Sequence, residues 1–277
     1  MSRREQIIEE LGIKTVRFRM LTEGEIRRVD IMEFDDRKQM FSEEMKRNIA
    51  DNWSQMKAKN PTVFSGSMAS VKSLELKEGV LRFRLRLSSY DEFVYLRQFN
   101  MPGLDFFGKE TDKGTTLPLS IGLVAVTDSD SIVLGERNFC ADWSGMFNTL
   151  PSGYLDPYKS LLRYGDPGDE SQELSLDMLI YEELKEEVGM NQVTSRRWHN
   201  VVYATEGNTQ PLLAGTLHVP YTDQEIKDFY LEGELAREVR RMHFVPNNLG
   251  EMAKFMKGKK FTPHAEAQIV AHFENSI

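Results

Sequence analysis

Cysteine is almost absent from this chain: Cys140 is the only one in 277 residues. A single thiol excludes a disulfide framework and a cysteine-based zinc site. Long apolar runs are missing too, and no stretch approaches the roughly 20 residues that span a bilayer as a helix. The amino terminus, Met1-Ser2-Arg3-Arg4-Glu5-Gln6, is charged and lacks the apolar core of a signal peptide, so the expected location is cytoplasmic, with no membrane partner. Asn52-Trp53-Ser54 spells a glycosylation acceptor, which carries no weight without secretion. Positive charge is not in excess either. The formal net charge is −8, opposite to the basic surface of a general nucleic-acid binder, so no nucleic-acid polymer is expected as a partner. A nucleotide held by a few arginines and metal ions stays open. The five histidines, His199, His218, His243, His264 and His272, show no paired ligand spacing such as H-x3-H, and structural or surface roles are expected for them. There is no G-x-S-x-G nucleophile elbow and no G-x4-G-K-S/T phosphate loop.

What remains is an ordinary globular mixture, 40% hydrophobic and 28% charged, long enough for one large domain or two small ones. Thr15 to Met20 and Ile26 to Phe34 alternate apolar and polar residues about Thr22-Glu23-Gly24-Glu25, which predicts a β-hairpin. From about Asp36 to Lys59 the period turns helical, with Phe41, Met45, Ile49, Trp53 and Met56 three and four apart, and Asn60-Pro61 ends it. Ser70 to Leu76 and Val80 to Leu87 read as paired strands around Lys77-Glu78-Gly79. On the second, Leu81, Phe83, Leu85 and Leu87 face one way and Arg82, Arg84 and Arg86 the other, giving either a solvated face or one that collects phosphates. Ser89-Tyr90-Asp91-Glu92 fits a capping box opening a short helix. Phe107 to Thr116, rich in Gly, Lys, Asp and Thr, divides an N-terminal domain (1–115) from a second one (116–277). After it, Leu119 to Val126 and Ser131 to Gly135 read as a hairpin turning at Asp128-Ser129-Asp130. Trp198 to Thr205 and Leu212 to Val219 read as two more strands, and helices are expected near Thr222 to Leu231, Leu249 to Met256 and Pro263 to Phe273. Strands mixed with helices in this order predict an α+β sandwich, not a regular succession of parallel βα units.

The run Glu182-Glu183-Leu184-Lys185-Glu186-Glu187-Val188-Gly189-Met190 is the most informative stretch. At about 100° per residue, Leu176, Leu179, Ile180, Leu184 and Val188 define an apolar helical stripe. Glu183 and Glu187 fall inside it, Glu186 at its edge, and Glu182 and Lys185 opposite. An acidic helix end is ordinarily solvated. Carboxylates turned toward the buried side instead need compensating charge, which a hard divalent cation or arginines supply. The pattern is that of a metal site.

In order along the chain come a strand ending at Gly135-Glu136-Arg137, a loop with Trp143, Leu150-Pro151-Ser152-Gly153-Tyr154-Leu155-Asp156, the acidic helix, and two strands. This order resembles the Nudix hydrolases, whose box reads G-x5-E-x7-R-E-U-x-E-E-x-G-U (U apolar). Glu183, Leu184, Glu186, Glu187, Gly189 and Met190 match its rear half, and Gly153 takes the place of the front glycine. The chain departs from the pattern in three ways. Glu182 occupies the arginine position, Leu174 occupies the first glutamate position beside Glu173, and an insertion of roughly Tyr158 to Gln172 separates glycine and helix. A narrower similarity, from about Trp53 to Val219, is to the UDP-glucose and UDP-galactose pyrophosphatases, a branch with an added N-terminal domain and a split box lacking the arginine. It rests on Trp53 before Asn60-Pro61-Thr62-Val63-Phe64-Ser65-Gly66, on Ser89-Tyr90-Asp91-Glu92-Phe93, and on Pro151-Ser152-Gly153 followed by an insertion.

The resemblance implies a Nudix-type α/β/α sandwich with a mixed sheet, preceded by a smaller α+β domain that either shapes the substrate pocket or serves assembly. It implies a magnesium-dependent (or manganese-dependent) hydrolase that cleaves the diphosphate of a UDP-sugar, such as UDP-glucose, to UMP and sugar 1-phosphate. The alternatives are another nucleoside diphosphate derivative, such as ADP-ribose or NADH, and a non-catalytic Nudix-like binding module. By carry-over, Glu183 and Glu187 are the catalytic carboxylates and main metal ligands, joined by Glu186 and the Gly153 carbonyl. Glu183 is the expected base, with Glu206 as alternative. Arg137 suits the diphosphate, Phe64 and Tyr90 the uridine, and Tyr154 and Asp156 complete the substrate-binding set, with Trp143 flanking the cleft.

Overall fold

A computed structural model describes residues 1–22, 25–37, 41–61, 63, 65–97, 116–138, 143–158, 176–205, 210–232 and 239–276. The strands are β1 (Phe18–Met20), β2 (Arg28–Asp35), β3 (Ser67–Lys77), β4 (Val80–Ser89), β5 (Ser120–Val126), β6 (Ser131–Arg137), β7 (Phe147–Thr149), β8 (Ser152–Tyr154), β9 (Ser195–Ala204), β10 (Pro211–His218) and β11 (Val239–Pro246). The helices are α1 (Arg3–Glu10), α2 (Glu43–Lys59), α3 (Tyr90–Leu96), α4 (Leu176–Val188), α5 (Asp223–Glu232), α6 (Leu249–Met256) and α7 (Pro263–Asn275).

The fold is α+β with mixed sheets. Among the described residues an eight-stranded sheet runs β1-β9-β10-β5-β6-β11, with β8 paired to β5 and β7 to β6. Its β10–β5 pairing is parallel. Because side chains alternate along a strand, neighbouring residues feed opposite layers. Leu123, Ala125, Val133, Val201 and Leu213 join α4 and α5 in one core. Val124, Val126, Ile132, Leu134, Val202, Leu212 and Ala214 join α1, α6 and α7 in another. A second sheet, β2-β4-β3, adds Ala69, Val71, Leu74, Leu81, Phe83 and Leu85 to the core beneath α4. The amides of Ala69 and Val71 donate to the carbonyls of Leu155 and Leu117, at 2.8 Å each, and stitch the two sheets together.

One detail of the large sheet positions the site. β5 and β6 pair as a hairpin only at Val126 and Ile132 and then part. The β7–β8 segment fills the fork, with Ser120, Ile121 and Gly122 opposite Tyr154, Gly153 and Ser152, and Leu134, Gly135 and Glu136 opposite Thr149, Asn148 and Phe147.

β3 and β4 pair around Lys77-Glu78-Gly79 as expected, antiparallel. The two further expected strands, β9 and β10, form and pair antiparallel with each other. The hairpin expected from Thr15 to Phe34 does not form. β1 pairs with β9 and β2 runs parallel to β4 in the other sheet, because alternation specifies a strand but not its partner. α2 starts at Glu43, behind the N-cap Ser42, and so is shorter than the helical period from Asp36 suggests. The expected boundary, Phe107 to Thr116, lies almost wholly outside the described residues, and the division at 115 stays a proposal. Among the described residues no helix is long and apolar enough to cross a membrane.

Candidate functional site

α4 lies over β8 because its apolar stripe demands it: Leu176, Leu179, Ile180, Leu184 and Val188 are all buried in the core between helix and sheet. That seating carries two acidic side chains onto the backbone of β8. Glu187, buried, accepts a hydrogen bond on Oε2 from the Ser152 amide at 2.7 Å. Glu183, half-buried, packs its carboxyl against the Cα of Gly153, where an added Cβ would overlap Cδ and both oxygens. Gly153 is thus a cradle that only a residue without a side chain leaves open. Two carboxylates four residues apart therefore meet one backbone dipeptide. Oxygen donors of this kind suit a hard divalent cation, and the Glu183, Glu187 and Gly153 donor set fits such an ion in chemistry. Among the described residues, however, no group of three or more His, Cys, Asp or Glu side chains is gathered to hold a metal.

The remaining acids divide differently from expectation. Glu186 is exposed, as its place at the edge of the stripe allows. Glu182, expected opposite the stripe, is buried at 8% exposure. The correction has a simple cause, since helix angles predict only the face turned to the sheet and Glu182 is covered on another side.

β8 sorts the other residues by face. Gly153 lies opposite Ile121, whose side chain belongs to the core under α4. Ser152 lies opposite Gly122, and a Cβ on Gly122 would meet the Gln268 side chain of α7. Ser152 and Tyr154 therefore point away from Glu183. Ser152 Oγ accepts from Asn148 Nδ2 at 2.7 Å, and Asn148 Oδ1 accepts from the hydroxyl of Thr262, the α7 N-cap, at 3.0 Å. Tyr154 donates to Gln210 Oε1 at 3.0 Å. Its ring meets Tyr90 at 6.2 Å and Phe93 at 6.1 Å, and Trp53 lies 6.1 Å from Tyr90. Tyr90 opens α3, where Glu92 Oε2 accepts from the Ser89 amide at 3.0 Å as the capping box requires.

The structure thus brings Glu183, Glu187 and Gly153 together, and brings Tyr90 to Tyr154 on the other face of the same short strand. Arg137 ends β6, half-buried, and its positive charge is felt at the buried ring of His264. Asp156, just past β8, accepts from the Tyr158 amide at 3.0 Å. Trp143 adopts a left-handed backbone (φ 62°) in the turn before β7. Phe64 and Glu206 lie outside the described residues. Sequence reasoning missed Ser152, whose part is played by a backbone N–H that every residue but proline carries, so no side-chain signal could have found it.

No family model matches the chain, and no curated protein matches it either. Among solved structures, it is similar to the DR0079 protein of Deinococcus radiodurans at 8% identity and TM-score 0.38, covering 56% of this chain and 83% of that one. It is similar to the Nudix domain of Shewanella oneidensis NrtR, solved complexed with ADP ribose, at 13% identity and TM-score 0.37, covering 59% and 90%. It is also similar to the MutT protein of Methanosarcina mazei at 12% identity and TM-score 0.34, covering 57% and 94%. At these scores the likenesses carry no part of the functional argument.

Proposed function

We propose that the chain is a Nudix-type hydrolase of a nucleoside diphosphate derivative, with a UDP-sugar as substrate. The observation that carries this reading is the convergence of Glu183 and Glu187 on Ser152-Gly153, which joins the rear of the acidic run to its separated front glycine across the insertion. In this reading magnesium or manganese is held by Glu183 and Glu187, with Glu186 and the Gly153 carbonyl as further oxygen donors. Bound there, such an ion would supply positive charge to the diphosphate oxygens and would favour deprotonation of the attacking water. Glu183 takes the proton from the water that attacks one phosphorus. The P–O bond to the bridging oxygen breaks, and for UDP-glucose the products are UMP and glucose 1-phosphate. The Ser152 amide holds Glu187 in place, a support of the kind that keeps ligating carboxylates oriented. Arg137 and Asp156 serve the diphosphate and sugar, and Phe64, outside the described residues, serves the base. Tyr90 and Tyr154 stand on the other face of β8 from Glu183 and are left out of the proposed pocket. The protein acts in the cytoplasm, and the added unit within residues 1–115 runs from β2 to α3, since α1 and β1 join the large sheet and its helices.

Purified protein incubated with magnesium and a panel of UDP-glucose, UDP-galactose, ADP-ribose and NADH tests this directly. Turnover of the UDP-sugars is expected, and Glu187→Gln is expected to lower it at least about 100-fold. Cleavage of ADP-ribose alone would replace the substrate, and unchanged turnover in Glu187→Gln would remove the metal role. Glu182, standing where the resemblance calls for arginine and buried in the fold, favours a second reading, a non-catalytic Nudix-like binding module. That reading leads if no member of the panel is cleaved with either metal.

A further inference from the structure

Gln268 is the most deeply buried polar residue of α7, at 1% exposure. Its side chain meets two different strands of the large sheet. Oε1 accepts from the hydroxyl of Thr149 on β7. The amide also lies against the Cα of Gly122 on β5, where an added Cβ would overlap it. Packing alone does not account for a glutamine here. Nε2 meets no acceptor among the described residues, and a buried donor without a partner costs stability. A methionine would fill the same space without that cost. What the glutamine supplies, and an apolar side chain does not, is an acceptor for Thr149.

Thr149 and Gly122 stand on either side of the fork where β5 and β6 part. Thr149 ends β7, paired with Leu134 of β6, and Gly122 lies opposite Ser152 of β8. Leu150-Pro151 joins Thr149 to Ser152, and its carbonyls accept from the Ala125 and Leu123 amides at 3.2 and 3.0 Å. Gln268 therefore closes the fork from the α7 side, behind the dipeptide that meets Glu187 and Glu183 on the other. β7 and β8 have three residues each, so few ladder bonds hold them and their backing matters. We propose that Gln268 is a positioning residue for the carboxylate pair. By bonding Thr149 and occupying the space beside Gly122, it fixes the β7–β8 segment and with it the Ser152 amide that orients Glu187. The consequence for metal binding rests on the hydrolase reading, whereas the hold on Ser152 does not.

Gln268→Met keeps the length of the side chain and removes the acceptor, and Thr149→Val removes the same bond from its other end. Hydrogen exchange of the Ser152 amide, followed by NMR in the full chain, reads the hold directly. Exchange about tenfold faster or more is expected in either variant, with thermal midpoints within about 4 °C of wild type. The double variant should be no faster than the singles, since both remove one bond. Thr149→Ser keeps the hydroxyl and should exchange within about twofold of wild type. Arg17→Gln frees α7 from its ties at Phe261 and Glu266, and it should also leave the Ser152 amide within about twofold. Titration with manganese(II) is the second readout, with a dissociation constant raised about fivefold or more in Gln268→Met and Thr149→Val. If the wild type binds no manganese, the metal reading fails and exchange alone decides the role of Gln268. Unchanged exchange in both variants, additive acceleration in the double variant, or equal acceleration in Arg17→Gln overturns the proposal. Where the wild type binds manganese, unchanged affinity in both variants overturns it as well.

Discussion

Gly153 and Glu183 show how one residue's lack of a side chain decides another's position. The Glu183 carboxyl lies where a Gly153 side chain would be, and Gly153 is pinned by its register with Ile121, so it cannot move aside without unpairing β8. Gly153→Ala therefore displaces the far end of Glu183, a flexible group, and leaves the strand in place. The expected result is hydrolysis lowered roughly 10- to 100-fold with a thermal midpoint within about 4 °C of wild type, read from parallel kinetics and melting curves. Full activity in this variant would mean that the packed position of Glu183 does not matter to the reaction. Glu187 is tied differently. Its partner is the Ser152 amide, so Ser152→Ala should keep that bond and keep turnover within about twofold, while losing only the contact to Asn148.

At the scale of elements, α7 is the member on which distant parts of the chain close. All residues from Pro263 to Phe273 are buried. Arg17, ahead of β1, donates to Phe261 O at 2.8 Å and pairs with Glu266 at 2.7 Å. Arg3 and Arg4 of α1 reach Phe273 O and Glu274, each at 2.9 Å. The helix starts at Thr262, whose Oγ1 accepts from the Ala265 amide at 3.1 Å and donates to Asn148 on β7. Thr262→Ala removes a cap and leaves a buried Asn148 oxygen short of a donor, and is expected to cost about 1–2 kcal/mol in urea unfolding. A cost indistinguishable from zero would show the cap to be replaceable. These ties mark where sequence stops being informative. α7, α4 and the strands β3, β4, β9 and β10 were legible, because each owes its form to a period within its own residues. The β1–β2 pairing was misread because both partners, β9 and β4, are chosen by packing across the chain. β7 and β8, three residues each, are too short to show a period, yet β8 carries the glycine of the site. The carboxylate pair was legible from helix angles, whereas the burial of Glu182 was not, since nothing in one helix shows what covers its other faces.

Across the whole molecule, a buried polar chain links the large sheet to α7 and to the β5–β6 turn, and its chemistry fixes how stability responds to acid. From the surface inward, Asn247 Nδ2 donates to Asp130 Oδ1 at 2.9 Å. That leaves Asn247 Oδ1 to accept from His272 Nε2 at 2.8 Å. His272 Nδ1 then accepts from the Thr216 hydroxyl, which in turn accepts from His199 Nε2, at 2.7 Å each. Each donor meets one acceptor only if both histidines are neutral. Burial pushes His272 down to about 3, helped by repulsion from His199 and His218. His199 is pushed down to about 4 by burial and by Arg197, and His264 to about 4 by burial and by Arg137. In the unfolded chain the same rings titrate near 6.5. Below that pH the unfolded state binds protons that the folded state refuses. The stability held above pH ~6.5 is therefore lost as pH falls toward 4, and His272 extends the loss toward 3. Three such groups give a limiting slope of about 4 kcal/mol per pH unit. Urea midpoints measured from pH 7.5 down to pH 4.5 should fall steeply and steadily. Replacing one titrating ring, as in His264→Gln, should reduce the slope by about one third even if it lowers stability throughout. A flat profile over that interval would mean that these rings are charged, or solvated, in the folded protein.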